Sequence, residues 1–306
     1  MKISYMDDQL RMALAAKSRN YTFIREDIRK EKEKLAGYVE DDGELYGFSD
    51  SLNEPLTKLC GFEVRVIRFC FTGIETVSSV KQREALERLT ALLKAYMMKN
   101  PCYYNVRVPA IITDAAIAVN SMELPFFFCG GTQAFMASRD GELLTPPAGQ
   151  RVEMPEGILS AEDRKRLLRI TDESFRDFLG QYHISPVTRP CAGDIYVNWM
   201  KNAMKQPGEN RFLIARSERE ASGYAYIEWK EKSADLSLTA VAPEYRGRGI
   251  YRALISAYLQ MCREEGRLAV ASTQFDNFGS QTTWTELGMK PFFAIYNYHY
   301  DLRKNI

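Results

Sequence analysis

Val241-Ala-Pro-Glu-Tyr-Arg-Gly-Arg-Gly-Ile-Tyr251 is the stretch on which the reading of this chain turns. Ahead of it, Ala234 to Val241 has the composition of a strand. Behind it, Leu254, Tyr258 and Cys262 recur at helical spacing with Ile255 and Leu259 beside them, which predicts a helix from Ile250 to about Glu265 that Gly266 ends. The turn between them, Arg246-Gly247-Arg248-Gly249, opens that helix. A helix N-terminus presents unpaired backbone N–H groups to an anion, and the helix dipole adds a favourable field. Gly247 and Gly249 let the backbone approach a ligand with no Cβ in the way, and Arg246, Arg248 and Arg252 supply positive charge. The unit reads as a phosphate-binding strand–turn–helix. On these residues alone a solvent-exposed basic turn remains the competing reading. A P-loop is not present, because its lysine and Ser/Thr are missing, and neither is the third glycine of a dinucleotide fingerprint.

Working outward, Leu268 to Thr273 predicts a strand, Asn277 follows, Gln281 to Leu287 predicts a helix and Phe292 to Leu302 the terminal strands. On the other side, Arg151 to Met154 predicts a short strand. Ser160-Ala-Glu-Asp163 predicts a capped helix start with Leu167, Leu168, Ile170 and Phe175 on its apolar face. Asp194 to Lys205 predicts a second helix, and Arg211 to Arg216 with Gly223 to Trp229 a hairpin. With these neighbours the segment resembles motif A of the GNAT (Gcn5-related) N-acetyltransferases, whose signature is Arg/Gln-x-x-Gly-x-Gly/Ala after a strand ending in Val-x-Pro. Leu287-Gly288-Met289 is similar to the family's Leu-Gly-Phe, and the order β-β-β-α-β-α-β runs from about residue 151 to 306.

That resemblance implies an α/β (α+β) GNAT fold with a mixed central sheet flanked by helices, and acetyl-CoA as co-substrate. It implies that the turn of Arg246, Gly247, Arg248, Gly249, Ile250, Tyr251 and Arg252 holds the pyrophosphate. Thr239, Ala240 and Val241 would pair with the pantetheine like an added strand, and Asn277 would contact the cofactor arm. The chain departs from the family pattern twice. Tyr251 stands where motif A ends on a small residue, and Trp284 stands where a tyrosine general acid is common. An indole donates a hydrogen bond but cannot deliver a proton. Tyr298, among the alternating Tyr296, Tyr298 and Tyr300, and His183 are the candidate catalytic substitutes. Packing on a sheet face for Tyr298 and a structural role for His183 are the alternatives to catalysis.

The first half is predicted to carry a helix over Asp7 to Ala36, a strand over Phe62 to Thr72, and a helix from Val80 to Met98 stopped by Asn100-Pro101. A strand from Tyr103 to Val108, a helix from Asp114 to Met122 and a strand region from Phe126 to Ala137 follow. Gly141 to Gln150, with Pro-Pro and two glycines, is the expected linker between domains at 1–145 and 151–306. Phe178-Leu-Gly-Gln-Tyr-His-Ile-Ser-Pro186 and Tyr196-Val-Asn-Trp199-Met-Lys-Asn202 resemble the first helices of the TDP-fucosamine acetyltransferase group. Its members acetylate a nucleotide-linked amino sugar and place a degenerate acetyltransferase-like half first. Tyr103 to Phe128 faintly echoes Leu268 to Phe293 but lacks any Arg-x-x-Gly-x-Gly turn. The same resemblance implies Tyr182 and His183 near the acceptor cleft, with Trp199 read as core.

Composition bounds these readings. The 306 residues suit two domains, and 45% hydrophobic with 12% aromatic residues suffices for two cores. Lys and Arg number 41 against 40 Asp and Glu, a net charge of +1, so nothing points to a general nucleic-acid or membrane-surface binder. Six scattered cysteines and two histidines offer neither a disulfide framework nor a metal site. With no signal peptide and no long apolar run, a reduced, cytoplasmic protein is expected; oligomeric state is not legible, since no heptad occurs. The function expected is transfer of acetyl from acetyl-CoA to the primary amine of a small molecule such as an amino sugar. A protein or peptide amine as acceptor, or a CoA-binding regulatory module without turnover, are the alternatives.

Overall fold

The computed structural model describes residues 32–72, 80–110, 112–137, 151–155, 157–205 and 210–303. The predicted helix over Asp7–Ala36 falls outside them except at its end, where residues 32–34 form a 3-10 turn, and the linker 141–150 lies wholly outside. The first half runs β1 (Gly37–Asp41), β2 (Glu44–Leu52), α1 (Glu54–Cys60), β3 (Val64–Phe71), α2 (Val80–Lys99), β4 (Tyr103–Pro109), α3 (Thr113–Asn120) and β5 (Phe126–Ala137). The second runs β6 (Arg151–Glu153), α4 (Ala161–Phe175), α5 (Gln181–Ile184), α6 (Ala192–Ala203), β7 (Asn210–Ser217), β8 (Glu220–Trp229) and β9 (Ser233–Val241). It ends with α7 (Ile250–Glu264), β10 (Leu268–Gln274), α8 (Phe278–Glu286) and β11 (Lys290–Asp301). Ser160 caps α4 as predicted, accepting from the Asp163 N–H at 3.0 Å. The predicted terminal strands are one strand with register shifts near Pro291 and Tyr296.

All 11 strands form one sheet in the order β1-β2-β3-β4-β11-β5-β10-β9-β8-β7-β6. Its centre has an approximate two-fold pattern. β3 and β4 are parallel and joined through α2, as β9 and β10 are parallel and joined through α7. Each half has then given its last strand to the other: β11 pairs with β4, β5 pairs with β10, and β5 and β11 pair with each other, all antiparallel. The halves therefore share a sheet rather than merely touching, and the sequence echo between them is an echo of fold.

Alternation along the strands assigns the two faces. In the second half, Leu213, Ala215, Ala225 and Ile227 pack with α7 through Leu254, Tyr258 and Cys262, whereas Phe212, Ile214, Tyr224 and Tyr226 pack under α4 and α6 through Leu167, Ile170, Tyr196 and Met200. In the first half, Leu86, Leu89, Leu93 and Met97 of α2 cover one face. The other face is covered by the second half. Tyr182, Val187 and Ile195 pack on Leu56, Val64 and Tyr103, Gln181 accepts from Asn105 Nδ2 at 3.0 Å, and Cys60 Sγ lies 2.7 Å from Cys191 Sγ.

The elements from 37 to 60 were not expected, although signals for them exist: Asp42-Gly43 is a hairpin dipeptide, and Asn53 caps α1, accepting from the Leu56 N–H at 3.2 Å with Pro55 in the first turn.

One side chain is built into the sheet itself. The fully buried Tyr258 of α7 donates its hydroxyl proton to Ala234 O (2.7 Å) and accepts from the Val270 N–H (2.7 Å), with Val270 O also 2.9 Å away. The hydroxyl thus sits in the ladder between β9 and β10. Tyr258→Phe strands buried backbone groups and is expected to cost about 1–3 kcal/mol, read as a fall in the denaturation midpoint; an unchanged midpoint would mean the strands close over the gap unaided.

Candidate functional site

Parallel pairing of β9 with β10 begins at Ser233/Leu268 and stops at Leu236/Ala271. Beyond it the strands continue as Ser237 to Val241 and Ser272 to Gln274 without pairing to each other, and a cleft of about 520 Å³ opens there. Its walls take in Ser237, Leu238 and Thr239 of β9, Thr273 of β10, and Asn277, Ser280 and Trp284 at α8. The cleft then crosses the middle of the exchanged strands at Thr132 and Ile295 to reach Arg107 of β4, and is roofed by Tyr182, Tyr196 and Trp199. It is therefore bounded by both halves.

At its second-half end, the chain leaves β9 through a 3-10 turn at Pro243–Tyr245 and enters α7. Gly247 and Gly249 have φ of 75° and 76°, the left-handed region that a side chain disfavours. Gly249 caps α7 with no side-chain hydrogen bond to its first N–H groups, which leaves those donors for an anion. The three arginines of the turn do different things. Arg246 bonds Val241 O (3.2 Å) and Ser174 Oγ (3.3 Å), fastening the turn to β9 and α4. Arg252 is ion-paired with Glu286 of α8. Arg248 is exposed, lies over the Tyr245 ring and donates to Glu244 O at 3.1 Å. Glu244 is itself fixed by Arg166 at 2.7 Å, and that guanidinium holds its carboxyl below the usual range.

Thr239 lines the cleft with a buried Oγ1 that has no partner, while Ala240 and Val241 are buried in the strand above it. Asn277 caps α8, accepting from the Ser280 N–H (3.4 Å) and donating to Thr273 Oγ1 (2.7 Å), so its side chain holds the cleft wall together.

Trp284 is buried edge-on against Phe135, with ring centroids 5.4 Å apart, and its Nε1 has no hydrogen-bond partner. The phenol at this wall comes from a different helix. Tyr251 neither crowds the arginine turn nor points outward; it lines the cleft and donates to Ser280 Oγ at 3.0 Å, one helical turn before Trp284. Burial pushes its pKa up to about 12.

The two catalytic candidates from the sequence lie elsewhere. Tyr298 is buried in the first-half core, 5.3 Å from the Phe126 ring centroid and 5.5 Å from that of Phe128, and does not line the cleft. Strand alternation put it on the packed face. His183 is buried beside Tyr196 and its Nε2 donates to Arg176 O at 2.8 Å, closing the loop after α4; Tyr182, not His183, faces the cleft. Trp199, expected in the core, is 38% exposed and lines the cleft.

Sequence reasoning missed two charged residues. Glu228 of β8 is the one carboxylate among the described residues lining the cleft and accepts from Ser237 Oγ at 2.9 Å, and Arg107 is the one cation there. Neither sits in a motif, and only the strand register brings them to the same space. Among the described residues no group of three or more His, Cys, Asp or Glu could hold a metal ion, and no helix is long and apolar enough to cross a membrane.

Residues 167–289 match the sequence model of the acetyltransferase (GNAT) family. A search of curated proteins finds no match. Among solved structures, a GCN5-related N-acetyltransferase from Sphaerobacter thermophilus is similar over 86% of this chain and 79% of its own, at 13% identity and a TM-score of 0.56. A functionally unknown conserved protein from Staphylococcus epidermidis is similar over 89% and 97%, at 13% identity and a TM-score of 0.52. A tandem GNAT protein from the clavulanic acid biosynthesis pathway is similar over 97% and 96%, at 11% identity and a TM-score of 0.50. At such identities the likeness is one of fold, and it extends through both halves. The chain thus has the mixed α/β GNAT fold, and its residues 167–289 resemble the sequences of the GNAT acetyltransferase family.

Proposed function

We propose that the protein is an acetyl-CoA-dependent N-acetyltransferase that acts on the primary amine of a small molecule. The observation that carries this reading is the parting of β9 from β10 directly beside the uncapped N-terminus of α7, in a cleft closed on its far side by the first half. The residues present fit the co-substrate. β9 offers free backbone edge and the unpartnered Thr239 hydroxyl for an amide-bearing arm, and the first turn of α7 with Arg248 offers donors and charge for a pyrophosphate. Acetyl-CoA would supply an activated thioester carbonyl. A cleft roofed by Tyr182, Tyr196 and Trp199 suits a compact acceptor better than an extended peptide, and an amino sugar is one such acceptor.

The chain's own groups divide the proton work. Glu228, on the cleft wall, can hold an incoming ammonium and take its proton directly or through water. Tyr251, held by Ser280 in place of a hydroxyl at Trp284, is the phenol positioned to give a proton to a departing thiolate. A phenol raised by burial stays protonated where an amine has become neutral, which is the pairing that amide formation requires.

Arg248→Glu is expected to weaken acetyl-CoA binding at least tenfold in calorimetry; wild-type protein that shows no acetyl-CoA binding would end the proposal. Tyr251→Phe is expected to lower kcat by about 10- to 1000-fold, the range of a lost general acid, while acetyl-CoA affinity stays within about threefold; equal losses in both would make Tyr251 a binding residue. As pH rises the wild-type rate should climb with loss of the acceptor's proton. It should not decline until near the Tyr251 value of about 12, so a fall between pH 8 and 10 would assign the acid to another group. Consumption of acetyl-CoA with no amine in a broad panel would favour the CoA-binding module without turnover.

A further inference from the structure

At the first-half end of the cleft, Arg107 on its wall and Arg68 beside it have no counter-charge among the described residues. Arg68 of β3 and Arg107 of β4 are direct register partners on adjacent parallel strands, so their Cα atoms stand about 4.8 Å apart and their side chains leave the same face. Among the described residues no carboxylate lies within ion-pairing distance of either; the arginines that are paired, such as Arg65 with Asp50 at 2.6 Å, lie elsewhere. Among the described residues the Arg68 guanidinium has a single hydrogen bond, to Ser51 Oγ at 2.9 Å, and the Nε atoms of both Arg68 and Arg107 are buried without partners. Burial and the neighbouring Arg107 bring the Arg68 pKa down to about 10. Two half-buried guanidiniums in register cost free energy through desolvation and mutual repulsion, and no packing requirement of a strand calls for arginine here.

The surroundings carry the same signature. Asn297 and His299 of β11 are the register partners of Arg107 and Asn105. The Oδ1 atoms of Asn105 and Asn297 and the Nε2 atom of His299 are buried without partners as well. Each of these side chains is nonetheless anchored by its other polar atom: Asn105 to Gln181 (3.0 Å), Asn297 to Thr132 (3.3 Å) and His299 to Tyr103 (2.7 Å). His299 is kept neutral, at about 3, by burial and by Arg107. Unpartnered buried polar atoms are scarce in folded proteins. Here five of them gather on three adjacent strands at the one cation that lines the cleft; the two guanidinium Nε–H groups call for an acceptor, whereas the two amide oxygens call for donors elsewhere on a ligand.

We propose that Arg107, reinforced by Arg68, is a subsite for an oxyanion on the acceptor, a carboxylate or a phosphate, so that the molecule acetylated is an acidic amine. This rests on the acetyltransferase reading for the identity of the other end of the ligand: Glu228 lies toward β8 and takes the ammonium, Arg107 lies across the exchanged strands and takes the anion. The first half then has a function without a turn of its own, as the half that selects the acceptor. Guanidinium is suited to both oxyanions, since its planar fork donates two parallel hydrogen bonds.

The test compares wild-type protein with Arg107→Gln, which keeps a polar side chain and removes the charge. Inorganic phosphate and acetate, each used alone, should raise the melting temperature of the wild type and raise that of the variant much less; the Arg246–Arg252 turn is identical in both, so its own phosphate binding cancels. Without ligand, Arg107→Gln should melt at the wild-type temperature or above, because a repulsion is removed. If that variant does not fold, Arg68→Gln takes its place. Ethanolamine, phosphoethanolamine and β-alanine then separate the sources. One or both of the acidic amines should have a KM at least tenfold below that of ethanolamine, and the advantage should vanish in the variant with acetyl-CoA affinity unchanged. Equal anion responses in the two proteins, or no preference for either acidic amine, would overturn the subsite. Wild-type protein that binds phosphate through Arg107 but does not bind acetyl-CoA would leave the subsite standing and remove the acetyltransferase reading.

Discussion

Two parallel strands that start paired and then part are held together just ahead of the fork, in this protein by the hydroxyl of Tyr258. Placed in the ladder between Ala234 and Val270, it satisfies both strands from the helix that follows β9. The same helix therefore fixes the fork with one residue and, two turns earlier, offers its N-terminus at the open end of the fork. The geometry of ladder, turn and cleft is set by one element. The burial of Leu254, Tyr258 and Cys262 under the sheet makes that element rigid, which is what a site needs from its support.

The arginine turn shows how one run of like residues is divided among tasks. Arg246 and Arg252 are spent on architecture, joining the turn to β9 and α4 and α7 to α8. Arg248 stays at the surface over the Tyr245 ring, where its charge is screened. At the opposite end of the cleft the balance is reversed: Arg68 and Arg107 are half-buried and have no counter-charge among the described residues, so they act in a poorer dielectric. An exposed cation steers and tolerates, whereas a desolvated one discriminates.

How much of this was legible in the sequence depends on range. The strand–turn–helix at 234–265, the Ser160 cap and the helix at Val80–Met98 follow from periodicity and capping, which act within a few residues, and all appear as read. The exchange of β5 and β11 could not be read, because it depends on which distant edge a strand finds, and both edges accept an antiparallel partner. Arg107 and Glu228 were missed for the same reason; each is an ordinary strand residue until the register sets it beside the cleft. Tyr298 was a candidate because a missing tyrosine invites a search for another, but alternation on β11 turns it into the core. The phenol that does reach the wall, Tyr251, reads in the sequence as part of the pyrophosphate turn and as a departure from its small residue, not as a proton donor.

The exchange of strands also sets an order of events. β4 is complete at Pro109, yet its neighbour on one side is β11, and the hydrogen bond from Tyr103 to His299 spans 196 residues. During synthesis β4 must wait with an open edge until the chain has been made as far as Asp301. Such an edge invites mispairing, and closing contacts of this range is slow. The first half thus cannot finish ahead of the second, as successive domains usually do. The two mature together, and a ribosome that stalls between them leaves a nascent chain in need of a chaperone rather than a folded first domain.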